Sequence, residues 1–183
     1  RIKMLGTRRD LGYAVGSGVM IGIPGQTYDG LVADIEMFRT LDLDMIGVGP
    51  YIAHDSTELG RLSNSPGSNE EDQTPNTELM TYKVVALTRL ACPRTNIPST
   101  TALATLNKKR GREFGLKRGA NIVMPNLTPP KYRVLYDIYP NKACLQETAG
   151  ACNLCMKGRI QSIGRTIGQG QGASPNYMTR NVE

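Results

Sequence analysis

Met20-Ile-Gly-Ile-Pro-Gly-Gln-Thr27 is the stretch whose reading decides the fold of this chain. Around it Val19, Ile21 and Ile23 fall on one face of a period-2 pattern, and Gly16, Gly18, Met20 and Gly22 fall on the other. The β-branched face suits packing against helices. The glycine face leaves room, as a strand bordering a hollow would. Pro24-Gly25 breaks the strand. Thr27 is placed to cap the helix that follows, with no full capping box because Gly30 stands at N3. An ordinary βα unit with glycines for close packing fits the same residues. A ligand site at the carboxyl ends of parallel strands is the sharper reading, and it needs support from the rest of the chain.

Working outward, Asp44-Met-Ile-Gly-Val-Gly-Pro-Tyr51 repeats the pattern: Ile46 and Val48 face helices, while Met45, Gly47 and Gly49 face the other way. The 28–41 stretch between these strands is amphipathic, with Leu31, Ile35, Phe38 and Leu41 on one face. Asn76 caps a helix from Thr77 to about Ala91 that buries Met80, Val84, Leu87 and Ala91, and Pro93 ends it. Asn96–Ala102 and Asn121–Asn126 read as a third and a fourth strand. Helices are expected over 112–118 and from Tyr132 to Tyr139, the latter closed by Pro140, and residues 1–12 read as the tail of another. Strands alternating with helices predict βαβ units and a parallel sheet. Four such units are half of an eight-unit TIM-type barrel.

The expected fold class is therefore α/β: a half-barrel over residues 1–140, a cysteine-bearing extension over 141–165, and a flexible Gly/Gln-rich tail over 166–183. A polar loop, 54–76, interrupts the half-barrel with an acidic tip at Glu70-Glu71-Asp72; a lid or a tolerated insertion both fit it, and the lack of apolar residues to dock with favours the insertion. A half-barrel leaves its lumen and one strand edge open. Either a missing half covers them or copies of the chain self-associate.

At 183 residues the chain is one domain or part of a larger one. The net charge of +6 is spread along the sequence. Lys108-Lys109-Arg110 is the longest basic cluster and has no interleaved aromatics, which argues against nucleic acid as a partner. No apolar run reaches the ~18 residues of a membrane span, and no secretory signal precedes the first strand, so the chain reads as cytoplasmic and without a membrane partner. It opens on Arg1-Ile-Lys-Met-Leu5, which looks like the middle of a helix, and an N-terminal part of the natural protein is expected to be missing.

Of the four cysteines, Cys144, Cys152 and Cys155 form C-x7-C-x2-C. The short spacing lets the thiolates of Cys152 and Cys155 converge on one metal or cluster, with Cys144 as a third ligand and one position left for solvent. A redox dithiol or plain free thiols fit the same spacing. The single histidine, His54, is far away in sequence. Cys92 reads as a core residue.

In order and spacing, these strings together resemble the radical S-adenosylmethionine FeFe-hydrogenase maturases. The carriers are Met20–Thr27, Asp44–Ile52, Val85–Leu90, Asn96–Thr101, Gly119–Asn126 and the three-cysteine motif, so the resemblance covers nearly the whole chain to about residue 165. Methylornithine synthase and biotin synthase share the fold and some of the strings, and C-x7-C-x2-C tips the choice toward the maturases. The resemblance implies the C-terminal half of the barrel, the region associated with biotin and thiamin synthesis enzymes. The catalytic 4Fe-4S cluster would sit on a CxxxCxxC loop in the missing N-terminal half-barrel, which leaves this chain inactive by itself. S-adenosylmethionine would contact Met45, Gly47, Gly49, Pro50 and Tyr136, and substrate would contact Thr100, Thr101, Met124 and Tyr139. Cys144, Cys152 and Cys155 would hold an accessory 2Fe-2S cluster. A small-molecule substrate and other hydrogenase maturation proteins would be the partners. A non-catalytic iron–sulfur or metal-binding module is the reading from a different class.

Overall fold

The computed structural model describes residues 1–63, 72–133, 135, 136, 138 and 140–180. Two strands pair in parallel, β1 (Gly16–Ile21) and β2 (Met45–Pro50), with Gly18 opposite Gly47 and Met20 opposite Gly49. The helix α1 (Ile2–Asp10) precedes β1, and α2 (Tyr28–Thr40) connects the two strands. Thr27 caps α2 as its sequence position requires, its hydroxyl accepting the Gly30 N–H at 3.1 Å. Then come α3 (Glu58–Ser63), α4 (Glu78–Ala91), α5 (Thr101–Leu106), α6 (Gly111–Lys117), α7 (Pro130–Arg133), α8 (Ala149–Ser162) and α9 (Pro175–Arg180).

The β-branched face of the two strands is the core. Ile21, Ile46 and Val48 are fully buried against Leu31 and Phe38 of α2, Val84 and Val85 of α4, and Leu116 of α6. On the opposite face Met20 is half exposed, and the glycines carry nothing to fill the space.

Only two of the four expected strands form. The segments at 96–98 and 122 join the sheet through single parallel bridges, Met45 to Asn96 and Pro98 to Ile122. Proline supplies no N–H to a ladder, and Thr100 turns the chain into a helix by capping α5 through the Leu103 N–H. The N-cap of α4 is Thr77, not Asn76. The buried face of α4 is Thr81, Tyr82, Val84, Val85 and Thr88, and Leu87 is exposed. The helix expected at 132–139 is, among the described residues, the single turn of α7.

The polar loop is more structured than expected at both ends. It begins with α3, and near its end Gln73 and Thr74 bond to the turn after β1: Gly25 N–H to Gln73 Oε1 at 2.7 Å, and Thr74 N–H to Gln26 O at 2.7 Å. Glu70 and Glu71 of the acidic tip lie outside the described residues. The extension is dominated by α8, whose Ile160 packs on the core with Ile163 just beyond it. The stretch read as a flexible tail contains α9, with Ser174 and Asn176 buried; residues 181–183 lie outside the described residues. No helix among the described residues is long and apolar enough to cross a membrane.

Candidate functional site

The open glycine face of the sheet borders a cavity of about 700 Å³. Gly18 and Met20 of β1 and Gly47, Gly49 and Pro50 of β2 line one side, and Thr100 and Thr101 at the start of α5 line another. A smaller cavity of about 260 Å³ shares Thr101 and Ile138 with it and is walled by Arg112, Met124, Tyr136 and Cys144, among others.

Both threonines reach the cavity because they are not on a strand. Thr100 is the N-cap of α5 and Thr101 its first residue, so the period-2 alternation that would send them to opposite faces does not apply. Gly49 has no side chain because Thr100 is there: a Cβ at Gly49 would stand 3.1 Å from Thr100 Oγ1. The turn above β1 is held by Gln26, which accepts the Gly22 N–H at 2.6 Å and donates to Met20 O at 2.9 Å. Gly22 itself takes a φ of +85°, and a Cβ there would run into the Asn76 backbone.

The charges at the two ends differ. Asp34 lines the larger cavity, and burial pushes its carboxyl above the usual carboxylate range. Three cations, Arg112, Arg133 and Lys142, line the smaller one. Arg112 is 5% exposed; its Nη atoms make long contacts, 3.3 Å to Ser99 O and 3.3 Å to Thr101 Oγ1, and its guanidinium also meets the Cys144 thiol. No ion pair found among the described residues includes it. Arg133, in contrast, is occupied: it donates to the carbonyls of Asn126, Thr128, Cys144 and Glu147 and so stitches the 126–128 turn to the cysteine loop.

Of the residues expected to contact a cofactor, Gly47, Gly49 and Pro50 line the larger cavity and Tyr136 the smaller. Met45 lines neither of these two cavities; it lies toward the N-terminal end of β2, beside Gly16. Of the expected substrate residues, Thr100, Thr101 and Met124 are brought together, and Tyr139 lies outside the described residues. Arg112, Asp34 and Ile138 were not legible as site residues. Arg112 follows the Lys108-Lys109-Arg110 run, which reads as solvated, and lines the cavity beside Gly111, which packs against the Leu103 carbonyl without room for a Cβ.

Cys144 and Cys152 are close enough to interact, and no third ligand joins them among the described residues. Cys152 is buried and its sulfur accepts the Asn126 N–H at 3.3 Å. Cys155, one turn further along α8, is exposed and beside Arg159. Cys144 lines the smaller cavity at a φ of +65°; burial pushes its thiol up, while the neighbouring Arg112 guanidinium works in the opposite direction. Among the described residues, no group of three or more His, Cys, Asp and Glu side chains is placed to hold a metal ion.

Over 172 residues, 94% of its length, the chain is 43% identical to the [FeFe] hydrogenase maturase subunit HydE of Thermotoga maritima. It is similar to a hydrogenase maturase. The resemblance carried by the glycine strands and the cysteine motif is thereby borne out across nearly the whole chain. The chain spans 46% of the length of that maturase. No family model matches the chain.

Proposed function

We propose that this chain is the C-terminal half-barrel of a radical S-adenosylmethionine enzyme of the hydrogenase-maturase type, and that its two joined cavities bind S-adenosylmethionine and a small carboxylate-bearing substrate. The observation that carries the reading is the open glycine face: Gly18, Gly47 and Gly49 border a hollow of about 700 Å³ at the carboxyl ends of parallel segments. The similarity to the maturase supports it, as does the position of the helices on the other face of the sheet. In a doubly wound sheet both faces would be covered.

Backbone without side chains lets a flat adenine or a ribose lie against the strands. Asp34 at one end suits an ammonium or a hydroxyl. Arg112 at the other end suits a carboxylate, because among the described residues this buried guanidinium has neutral partners, Ser99 O, Thr101 Oγ1 and the Cys144 thiol, and no carboxylate. Thr101, shared by both cavities, offers a hydroxyl to either ligand. In radical S-adenosylmethionine enzymes a 4Fe-4S cluster supplies the electron that cleaves the sulfonium. This sequence has no CxxxCxxC to hold it, so the residues here bind, orient and exclude water.

The accessory 2Fe-2S cluster is a separate part of the proposal, supported by the C-x7-C-x2-C spacing. It requires Cys152 to leave its contact with the Asn126 N–H. Anaerobic reconstitution followed by iron analysis tests it: Cys155→Ser is expected to lower bound iron without unfolding the chain, and unchanged iron refutes the site.

The main reading is tested by calorimetric titration of the chain with S-adenosylmethionine. Binding is expected, with no 5′-deoxyadenosine formed on adding reductant. Arg112→Gln is expected to weaken binding of a carboxylate ligand by about 2 kcal/mol, roughly thirtyfold. Absence of any S-adenosylmethionine binding overturns the proposal.

A further inference from the structure

Residues 164–180 have two unlike halves. From Gly164 to Gly172 the chain arches away from the protein: a Cβ at Gly164, Gly168, Gly170 or Gly172 would meet no atom within 4 Å. A cavity of about 410 Å³ lies beneath the arch, floored by Leu116, Ile122, Val123 and Ile160. Gly164, Gly170 and Gly172 take φ values of +71°, +96° and +70°, which glycine adopts without steric cost.

The second half is clamped. The Asn96 side-chain amide donates to Gly172 O at 2.8 Å. Ser174, 2% exposed, donates its hydroxyl to Asp44 Oδ1 at 2.9 Å. Asn176 donates to Leu43 O at 3.1 Å, and Arg180 pairs with the carboxylates of Asp42 and Asp44. Asp44 is itself 3% exposed, and its other oxygen accepts the Val15 N–H at 2.7 Å. One buried carboxylate therefore holds both the end of the chain and the residue that leads into β1.

We propose that residues 164–180 are a latch, a hinged glycine arch ending in α9, caught by Asp44 under the N-terminal end of the sheet, and that its closure orders β1 and the cavity wall that β1 carries. The coupling follows from the cost of burying a charge. With the latch open, Asp44 loses Ser174 and Arg180 and must draw in water, because a carboxylate cannot stay buried on one amide partner. Water at Asp44 competes for the Val15 N–H. Among the described residues β1 pairs with β2 only, and the Val15 N–H that leads into it has the Asp44 carboxylate as its partner, beside the Val15 carbonyl's bonds to the Asp44 and Met45 N–H groups. Gly18 and Met20, which line the larger cavity, follow on the same strand.

Residue-resolved amide hydrogen exchange on the full chain, Ser174→Ala and Arg180→Gln tests the latch. Both substitutions are expected to speed exchange at Val15 and along β1 at least tenfold while α4 keeps its protection. Ser174→Ala is the milder change and serves as the reading if Arg180→Gln unfolds the chain. If Val15 and β1 keep parent-chain exchange in both variants while α9 is released, the strap is a passive tail and the proposal fails. It fails equally if α9 amides in the parent chain exchange as fast as unfolded peptide.

Discussion

Gly18 and Gly47 face each other across the two strands, yet they do different work. A Cβ at Gly18 would stand 2.3 Å from the Gly47 carbonyl oxygen, whereas a Cβ at Gly47 would meet nothing closer than the Ser17 oxygen at 3.9 Å. Gly18 therefore permits the strands to approach, and Gly47 keeps the cavity open. Gly18→Ala is expected to cost about 1–3 kcal/mol through overpacking, read as a drop in thermal midpoint. Gly47→Ala is expected to leave the midpoint unchanged or slightly raised, since alanine is less flexible in the unfolded chain. The same change narrows the cavity, so ligand affinity measured by calorimetry should fall. Equal loss of stability in both variants contradicts this division of labour. Pattern alone marks both glycines as facing inward; which of them holds the strands together depends on a backbone-to-side-chain distance that no periodicity contains.

At the scale of elements, α4 and α6 meet through one phenol. Tyr82 of α4 is buried, donates its hydroxyl to Glu78 at 2.5 Å with Gly111 O nearby at 3.2 Å, and stacks edge-on against Phe114 of α6 with ring centroids 6.1 Å apart. Burial first, and then the Glu78 carboxylate, push this phenol above the ordinary tyrosine range. The sign of the linkage follows. Above about pH 10 a tyrosine in the unfolded chain gives up its proton while Tyr82 in the fold keeps it. The folded state then binds more protons, so the stability this contributes is complete below that pH and is lost as pH rises toward the folded value. Denaturant melts from pH 9 upward should show a decline that is smaller in Tyr82→Phe, and an ultraviolet titration should leave one tyrosine silent until the chain unfolds. A full set of tyrosines ionising before unfolding contradicts it. The same element corrects the sequence reading. Apolar spacing chooses a face through Leu87, but Thr81, Tyr82 and Thr88 share the buried face; the Thr81 and Tyr82 hydroxyls donate to Thr77 O and Gly111 O, while the Thr88 hydroxyl is buried without a partner among the described residues.

At the scale of the molecule, the sheet has, among the described residues, an unpaired edge at β1 and a face on which Met20 and Met45 are exposed. Open edges and apolar faces recruit chains. Light scattering is expected to show self-association that grows with concentration, and a clean monomer at high concentration argues against an open lumen.

Local chemistry fixed much of this on its own: the βα unit around Met20–Thr27, the capping by Thr27, the burial of Ile46 and Val48, and the inward glycines of both strands all follow from side-chain period and turn residues. Tertiary structure alone decided the rest. The third and fourth segments stop short of becoming strands, Thr100 and Thr101 both reach the cavity, Arg112 arrives there from a run that reads as solvated, and the glycine-rich end is caught by Asp44. These outcomes depend on partners distant in the chain. A buried charge or a capping hydroxyl is stabilised by whatever the fold brings beside it, and a repeating pattern of side chains carries no record of that neighbour.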